Sequence, residues 1–501
     1  MNTFLNTLKE QTNYKYTENG ALARKTTNCA VYDLFALGGS YRNRSDEDVI
    51  LLFKNALEED ETLALKCLFY LRDHICGQGE RRFFRVAYKW LCNTHPDIAR
   101  RNLDVFGSDM CRWDDLIYIC LDTSLEKDML KIVMSQLILD LESETPSLLA
   151  KWVPSENASS YTTRHAAAKL RQAMRFSHKE YRKMLALLRS RINIVEKLMS
   201  ENRWDEIKFD KIPSKAGFKY KNAFARRDII AKKYEAFMKN EKTTVNAKDL
   251  YPYEIVAKAA ETTDYYWNYD FKDISDVDRA TLEKYWQNLP DYLNGQKCNM
   301  MCVVDTSGSM TDDRAAAPIN VAISLGMYCA ERIGEPFKNH YISFSSHPQM
   351  IKIEGVDFVD KVRRIYKTNL CENTNLTAVF DLILSIAKRP GVKPEDIPST
   401  LVIISDMEID YGTTNRAEWT TENAATEMEK IREKYAAAGV DMPRLVYWNV
   451  NARNNTILDS GPYVSFVSGM SPILFEQVLT GKNGWDLCCA KLLSKRYEVI
   501  N

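Results

Sequence analysis

None of the twelve cysteines forms a CxxC pair, none stands with histidine at the spacing of a zinc knuckle, and only Cys488 and Cys489 are adjacent. That removes the usual sequence signatures of a structural zinc site and of a disulfide framework. Long apolar runs are missing as well. Nothing approaches the roughly 20 residues needed to span a bilayer, and the opening stretch MNTFLNTLKEQTNYKYTENG lacks the charged and apolar blocks of a signal peptide. The expectation is a cytoplasmic protein in a reducing compartment, with no membrane partner. Histidine is scarce, at six residues, and none sits in HExxH or an evident triad setting. No glycine-rich nucleotide fingerprint is present either. In GQGERRFFR, Gly77 and Gly79 precede Arg81 and Arg82, but the Lys-Ser/Thr ending and the preceding strand of a phosphate loop are lacking; a helix-to-helix turn with a glycine C-cap is expected there. These gaps speak against an enzyme, and no catalytic residue is assigned.

What is present is ordinary globular material: 45% apolar and 27% charged residues, far from the composition of a disordered chain. A single core stops growing near 250 to 300 residues, so 501 residues imply at least two domains. Net charge is zero, but it is unevenly spread. Residues 151–240 hold 22 Lys or Arg against 9 Asp or Glu, a formal excess of +13 that the remainder balances. A positive block beside acidic neighbours suits an anionic partner.

The first 290 or so residues show no strand-like alternation and repeated helical periodicity instead. In KMLALLRSRINIVEKLM, Met184, Leu188, Ile192, Val195 and Met199 fall on one stripe, which predicts an amphipathic helix. Similar patterns in DEDVILLFKNALEED, ETLALKCLFYLRDHI, RFFRVAYKWLCNT and DDLIYICLD are separated by GQGE, THPD and GSD. Short helices with short connections form antiparallel pairs, as in an α-solenoid or irregular helical array. KWVPSENASSYTT breaks the pattern, and the acidic, aromatic DYYWNYDFKDISDVD is expected to pack across a groove or domain junction.

From Cys298 the period changes. NMMCVVD, HYISFSS, STLVIISD, RLVYWNV and YVSFVSG read as strands, most of them separated by the helical stretches AAAPINVAISLGMYCAERI, LTAVFDLILSIAKR and ENAATEMEKIREKYAAAG. Apolar strands alternating with helices predict a mainly parallel sheet covered on both faces. Such sheets bind ligands at the carboxyl ends of their strands.

Five oxygen-bearing residues fall at that edge: Asp305, Ser307 and Ser309 after the first strand, Thr374 in ENTNLTAVFD, and Asp406 after LVIISD. Hard oxygen donors are what Mg²⁺, or another divalent cation such as Mn²⁺ or Ca²⁺, requires. Neutral hydroxyls in place of further carboxylates leave a bound cation net positive, so an open position would attract an external carboxylate or phosphate.

Asp-x-Ser-x-Ser, then Thr, then Asp, in successive sheet-edge loops, resembles the metal-ion-dependent adhesion site (MIDAS) of von Willebrand factor A domains. On that pattern Asp305, Ser307, Ser309, Thr374 and Asp406 are the metal ligands. Glu372 and Asn373 stand where the family usually has glycines. Met407-Glu408 replaces the glycine that usually follows the last aspartate, which places an extra acid near the metal.

The helical half joined to such a domain resembles the Ro autoantigen (TROVE) family, and more closely a TROVE-like group. The stretches that carry the resemblance are NGALARKTTNCAVYDLF, LFYLRDHICGQGERRFFRVAYKWL, SLLAKWVPSENASS, RWDEIKFDKIPSKAGFKYKNAF and LYPYEIVAKA. It implies a multidomain α plus α/β protein: a HEAT-like helical repeat ring or horseshoe over 1–295, then a doubly wound, Rossmann-like A domain over 296–501. It implies a ribonucleoprotein component, a monomeric ring that binds noncoding or single-stranded RNA without catalysis. The alternative is a metal-dependent protein–protein scaffold that captures an acidic protein ligand. Candidate RNA-binding residues are Arg164, His165, Lys169, Arg171 and Arg175 in TRHAAAKLRQAMRF, with the three arginines near one helical face. Lys215, Lys219, Lys221, Arg226 and Arg227 in KIPSKAGFKYKNAFARRDIIAKK join them, with Phe218 and Phe224 read as core.

Overall fold

A computed structural model describes residues 12–192, 194–262, 270–293, 299–311, 317–368, 373–410, 427–458, 461, 463–482 and 484–501. Helices dominate from Ala30–Leu37 to Asp276–Gln287, and the main sheet begins at Met300.

Several helices start where a small polar residue satisfies a free N–H group. Ser45, Asp60, Ser160, Ser177 and Ser275 accept bonds from Asp48, Leu63, Thr163, Glu180 and Asp278 respectively, and Ser177 forms a capping box with Glu180. The apolar faces then stack. Phe69, Phe84, Tyr88 and Phe106 are fully buried and meet mostly edge to face at 5.0–6.2 Å, a geometry aromatic quadrupoles favour.

Three expectations for this half are corrected. Two strands precede the helices: β1 (Tyr14–Tyr16) and β2 (Leu22–Arg24) form an antiparallel hairpin. They are only three residues each, too short for period-two alternation to register. The stripe through Met184–Met199 is not one helix. His178–Arg191 ends at Ile192, which is extended, and a second helix runs Val195–Ser200. Arg191 donates to the carbonyls of Leu141 and Ser143, anchoring the break. Ile192 and Val195 are buried all the same, so the apolar pattern survives the change of backbone. The GQG turn joins the helices Glu61–Arg72 and Arg81–Thr94, but the C-cap is Asp73. Gly79 has φ +66°, and a Cβ there would sit 2.0 Å from the Tyr251 hydroxyl oxygen. The arginines after it face acids, not a phosphate: Arg81 and Arg85 pair with Asp114 and Asp115, and Arg82 pairs with Asp46.

The second half is a six-stranded sheet in the order β5-β4-β3-β6-β7-β8, with β3 Met300–Asp305, β4 His340–Phe344, β5 Met350–Lys352, β6 Thr400–Ser405, β7 Arg444–Asn449 and β8 Val464–Ser468. Neighbours are parallel except the antiparallel edge pair β4–β5. The five strands read from sequence are all there; β5 is additional, three residues long and mostly exposed. β3 lies between β4 and β6, so the chain's winding reverses at the β3/β6 boundary. That is the switch point at which open α/β sheets hold ligands.

The helical array both begins and ends on the sheet domain. Helix Ala30–Leu37 covers β8: the Phe466 N–H donates to the Tyr32 hydroxyl, and Gly39 N–H to Ser468 Oγ. This blunts an otherwise open sheet edge. At the other end, Trp286 stacks on Phe358 at 4.7 Å and donates to Glu331, while Arg279 forms a two-pronged pair with Asp357. Phe271 packs on Tyr366, so the described part of the acidic, aromatic segment does lie at the junction; residues 263–269 fall outside the described residues.

Candidate metal centre and basic surface

β3 and β6 run parallel in register from Met300 opposite Thr400 to Val304 opposite Ile404. That pairing brings the next residues, Asp305 and Ser405, side by side. Ser405 Oγ donates to Asp305 Oδ2 at 2.6 Å, and the Ser307 N–H donates to Asp305 Oδ1 at 2.9 Å. Ser307 Oγ and Ser309 Oγ are 3.1 Å apart, so the alternate serines of the DTSGS turn face one point. Ser309 is near enough to the Asp406 carboxyl to lower its pKa. Thr374 is fully buried just before helix Leu376–Ala387, and its carbonyl accepts the Asp410 N–H at 2.9 Å. All five residues proposed from sequence therefore gather at the carboxyl end of β3 and β6, with Thr374 joined through Asp410. Glu372 lies outside the described residues.

The electrostatics are those of a site short of positive charge. Asp305 is fully buried and Asp406 nearly so. Burial pushes the Asp406 carboxyl above the usual range, and the neighbouring Asp305 pushes it further. Burial raises Asp305 too, with Asp410 adding to it. Asp406 Oδ2 and Asp410 Oδ2 are buried with no hydrogen-bond partner, a costly arrangement unless a cation sits among them. Among the described residues no group of three His, Cys, Asp or Glu side chains is arranged to hold a metal. The donor set on offer is carboxylates plus hydroxyls, which suits a hard divalent ion and fits the residues present.

Met407 takes φ +66° although it is not glycine and is buried. A left-handed residue here is strained, and it sends the residues on either side in different directions. The extra acid expected near the metal, Glu408, does stand close enough to Asp406 to push its carboxyl further up, but its own carboxylate is engaged elsewhere. Its carboxylate accepts the Glu18 N–H at 2.7 Å, the Thr456 hydroxyl at 3.1 Å and the Asn454 amide at 3.3 Å. The Glu408 carbonyl accepts from Asn19 and the Ile409 carbonyl from Thr17. The residue pins the β1–β2 hairpin to the sheet domain. Asp410 was missed by the sequence reading; the alternation Asp406, Glu408, Asp410 was the signal that could have marked it.

The basic candidates divide. His165 faces Asp122 at 2.9 Å, Lys169 faces Glu126 at 3.0 Å, Arg171 faces Glu156 at 2.8 Å, and Lys215 pairs with Glu254. Lys221 is 8% exposed and held by Asp278 at 3.0 Å, which withdraws it from any ligand. Arg175 lies beyond the end of helix Tyr161–Ala173 at φ +58°, so it does not share a helical face with Arg164 and Arg171. Arg164 is exposed and donates to the carbonyls of Ala158 and Ser159. Arg175, Lys219, Arg226 and Arg227 are exposed and make no ion pair among the described residues, although Arg226 stands near enough to Asp278 to help lower its pKa. Lys179, Arg182 and Lys183 on helix His178–Arg191 are exposed likewise; their spacing in HKEYRK could have flagged them. Phe224 is core against Trp204, Phe209 and Tyr234, and Phe218 packs on Tyr285.

Fold and site define a class: a helical array closed at both ends onto a doubly wound sheet, with hard oxygen donors at the sheet's switch point. The family model described as "Domain of unknown function (DUF2828)" matches residues 17–175 and 147–297, and that described as "Domain of unknown function (DUF7788)" matches 299–487. The chain belongs to the DUF2828 family. It is 30% identical to the "Uncharacterized protein L728" of Acanthamoeba polyphaga mimivirus over 94% of this chain and 85% of that one. The solved structure of the Deinococcus radiodurans Ro (RSR) protein matches over 88% of each chain at 14% identity and a TM-score of 0.32.

Proposed function

We propose that this protein is a non-enzymatic, Ro-like RNA-binding scaffold: a HEAT-like helical array with a cationic outer surface, joined to a von Willebrand A-like domain whose adhesion site takes Mg²⁺. The observation that carries the RNA reading is the set of exposed cations in 151–240 that make no ion pair among the described residues, namely Arg175, Lys219, Arg226 and Arg227 with Lys179, Arg182 and Lys183. Phosphates neutralised by such side chains release counterions. Noncoding or single-stranded RNA is the partner class. In the metal site, Asp305, Ser307, Ser309, Thr374 and Asp406 would hold the ion, and the ion would supply an electrophilic position for one external oxygen ligand.

The test is binding of a single-stranded oligouridine to the whole protein across a salt series. Neutralising about five phosphates weakens binding about a hundredfold between 50 and 200 mM salt. Charge reversal at Arg226 and Arg227 should weaken binding and flatten that slope. No binding even at low salt would end the RNA reading. The second reading, a metal-dependent protein–protein scaffold, is favoured by the partnerless Asp406 Oδ2, because an ion there keeps an affinity for a partner's carboxylate. It would stand alone if a protein partner were lost on Asp305→Ala while RNA binding was absent.

A further inference from the structure

Where the last helix of the array meets the sheet domain, a cleft of about 400 Å³ opens between helices Asp276–Gln287 and Phe358–Thr368. Arg279, Arg363, Arg364 and Lys367 line it, with Phe271, Asp270 and Asp360. Four cations converge here because VRRIYK puts Arg363 and Lys367 one helical turn apart and the packing of the two helices brings Arg279 alongside.

Each arginine is held by part of its guanidinium and keeps other N–H groups. Arg279 uses Nε and Nη2 on Asp357. Arg363 uses Nε and Nη2 on the carbonyls of Ala259 and Lys272, with its guanidinium 5.0 Å above the Phe271 ring. Arg364 uses Nε on Asp360 at 2.9 Å. The two aspartates are further committed, Asp357 to the Asp360 N–H and Asp360 to the Val356 N–H. Lys367 is exposed, lies 5.9 Å from the Phe271 ring and makes no ion pair among the described residues. Burial lowers the Arg363 pKa, and the charge of Arg279 lowers it further. Arg279 and Arg363 repel one another, Asp273 and Asp357 act against that repulsion, and an added anion would relieve it further. Preorganised guanidinium forks with a mobile lysine are suited to phosphate oxygens.

The helix that carries Arg279 also approaches the basic surface of the helical half. Arg226 is close enough to Asp278 to help hold that carboxyl below its ordinary value, after Ser275 and Lys221. Asp278 adjoins Arg279 in the same helix.

We propose that this cleft binds phosphate groups and carries the cationic surface of the helical array across the junction onto the sheet domain. The RNA source of those phosphates rests on the reading given above; the anion site itself does not.

The test uses the whole protein and the variant Arg364→Glu/Lys367→Glu, which alters two exposed side chains and spares Arg279 and Arg363, the arginines that tie the halves together. Lys388→Glu/Lys393→Glu, two exposed lysines elsewhere on the sheet domain, makes the same change of net charge as a control. Inorganic tripolyphosphate at low salt is the first probe. The parent and the control should bind it, and the cleft variant should lose about tenfold or more. Single-stranded oligouridine is the second, with Arg226→Glu/Arg227→Glu run beside it. Loss of both ligands in the cleft variant establishes a phosphate site on the RNA path. Loss of tripolyphosphate with oligouridine unchanged, or with no RNA bound by the parent, establishes a site for a free phosphate compound and overturns the continuation of the RNA surface. If oligouridine weakens only in the Arg226/Arg227 variant and tripolyphosphate binding is equal in all four proteins, the cleft is overturned while the RNA reading survives. A parent that binds no tripolyphosphate overturns the cleft outright.

Discussion

Asp305 and Asp406 lie at the ends of neighbouring strands and both are enclosed by the protein; Asp305 has a donor on each oxygen, whereas Asp406 Oδ2 has none. Two buried carboxylates at such a distance raise each other's pKa and cost stability until a cation joins them. Asp305→Ala is expected to weaken Mg²⁺ binding more than about a hundredfold by calorimetry while helical circular dichroism is unchanged. Ser405, which donates to Asp305 Oδ2, orients the ligand from behind, so Ser405→Ala should cost about 10- to 100-fold. Equal Mg²⁺ affinity in Asp305→Ala and parent would remove the metal site. At this scale the sequence was informative where chemistry depends on residue type. The oxygen donors could be named from their positions, whereas the task of Glu408 could not, because its partners Glu18, Asn454 and Thr456 are distant in the chain.

Among elements, the C-terminal turn shows how the halves are fastened. Asp73, the C-cap of Glu61–Arg72, is fully buried; it takes Arg496 in a two-pronged ion pair and the Tyr497 hydroxyl at 3.1 Å. Burial raises its pKa, but bonds from Arg496 and from the Ile75 and Cys76 N–H groups outweigh it and hold the carboxyl below the ordinary value. With the folded pKa depressed, the stabilisation is complete above the unfolded value near 3.9 and is lost as pH falls through the folded pKa. A chemical-denaturation series between about pH 6 and pH 2 should show this loss in the parent. In Asp73→Asn the slope should be shallower and the stability at neutral pH lower by about 3 kcal/mol; an unchanged slope would mean the pair contributes nothing. Strands and helices of the sheet domain were legible where apolar runs and helical periodicity were long. The β1–β2 hairpin, β5 and the break at Ile192 and Ile194 were not, because three-residue strands and a short extended break leave no period to read.

Across the whole molecule, the array is fastened at both ends to the sheet domain, through Tyr32 and Phe466 on one side and Trp286, Phe358 and the Arg279–Asp357 pair on the other. The buried residues form one continuous hydrophobic cluster from Ala21 to Ile500. Calorimetry is therefore expected to show a single cooperative unfolding transition; two well-separated peaks would show that the halves are energetically independent.

By itself the sequence determined the longer helices and strands, their order, and which residues could offer oxygen atoms at the sheet edge, since periodicity and side-chain chemistry are local properties of a chain. It also determined the excess of positive charge over 151–240. Which of those cations remain without acids was decided only by tertiary structure: Lys169, Lys215 and Lys221 find partners in Glu126, Glu254 and Asp278, all outside that segment. The junction cleft is likewise a product of packing, because Arg279 and Arg363 meet only when two helices far apart in the chain are pressed together.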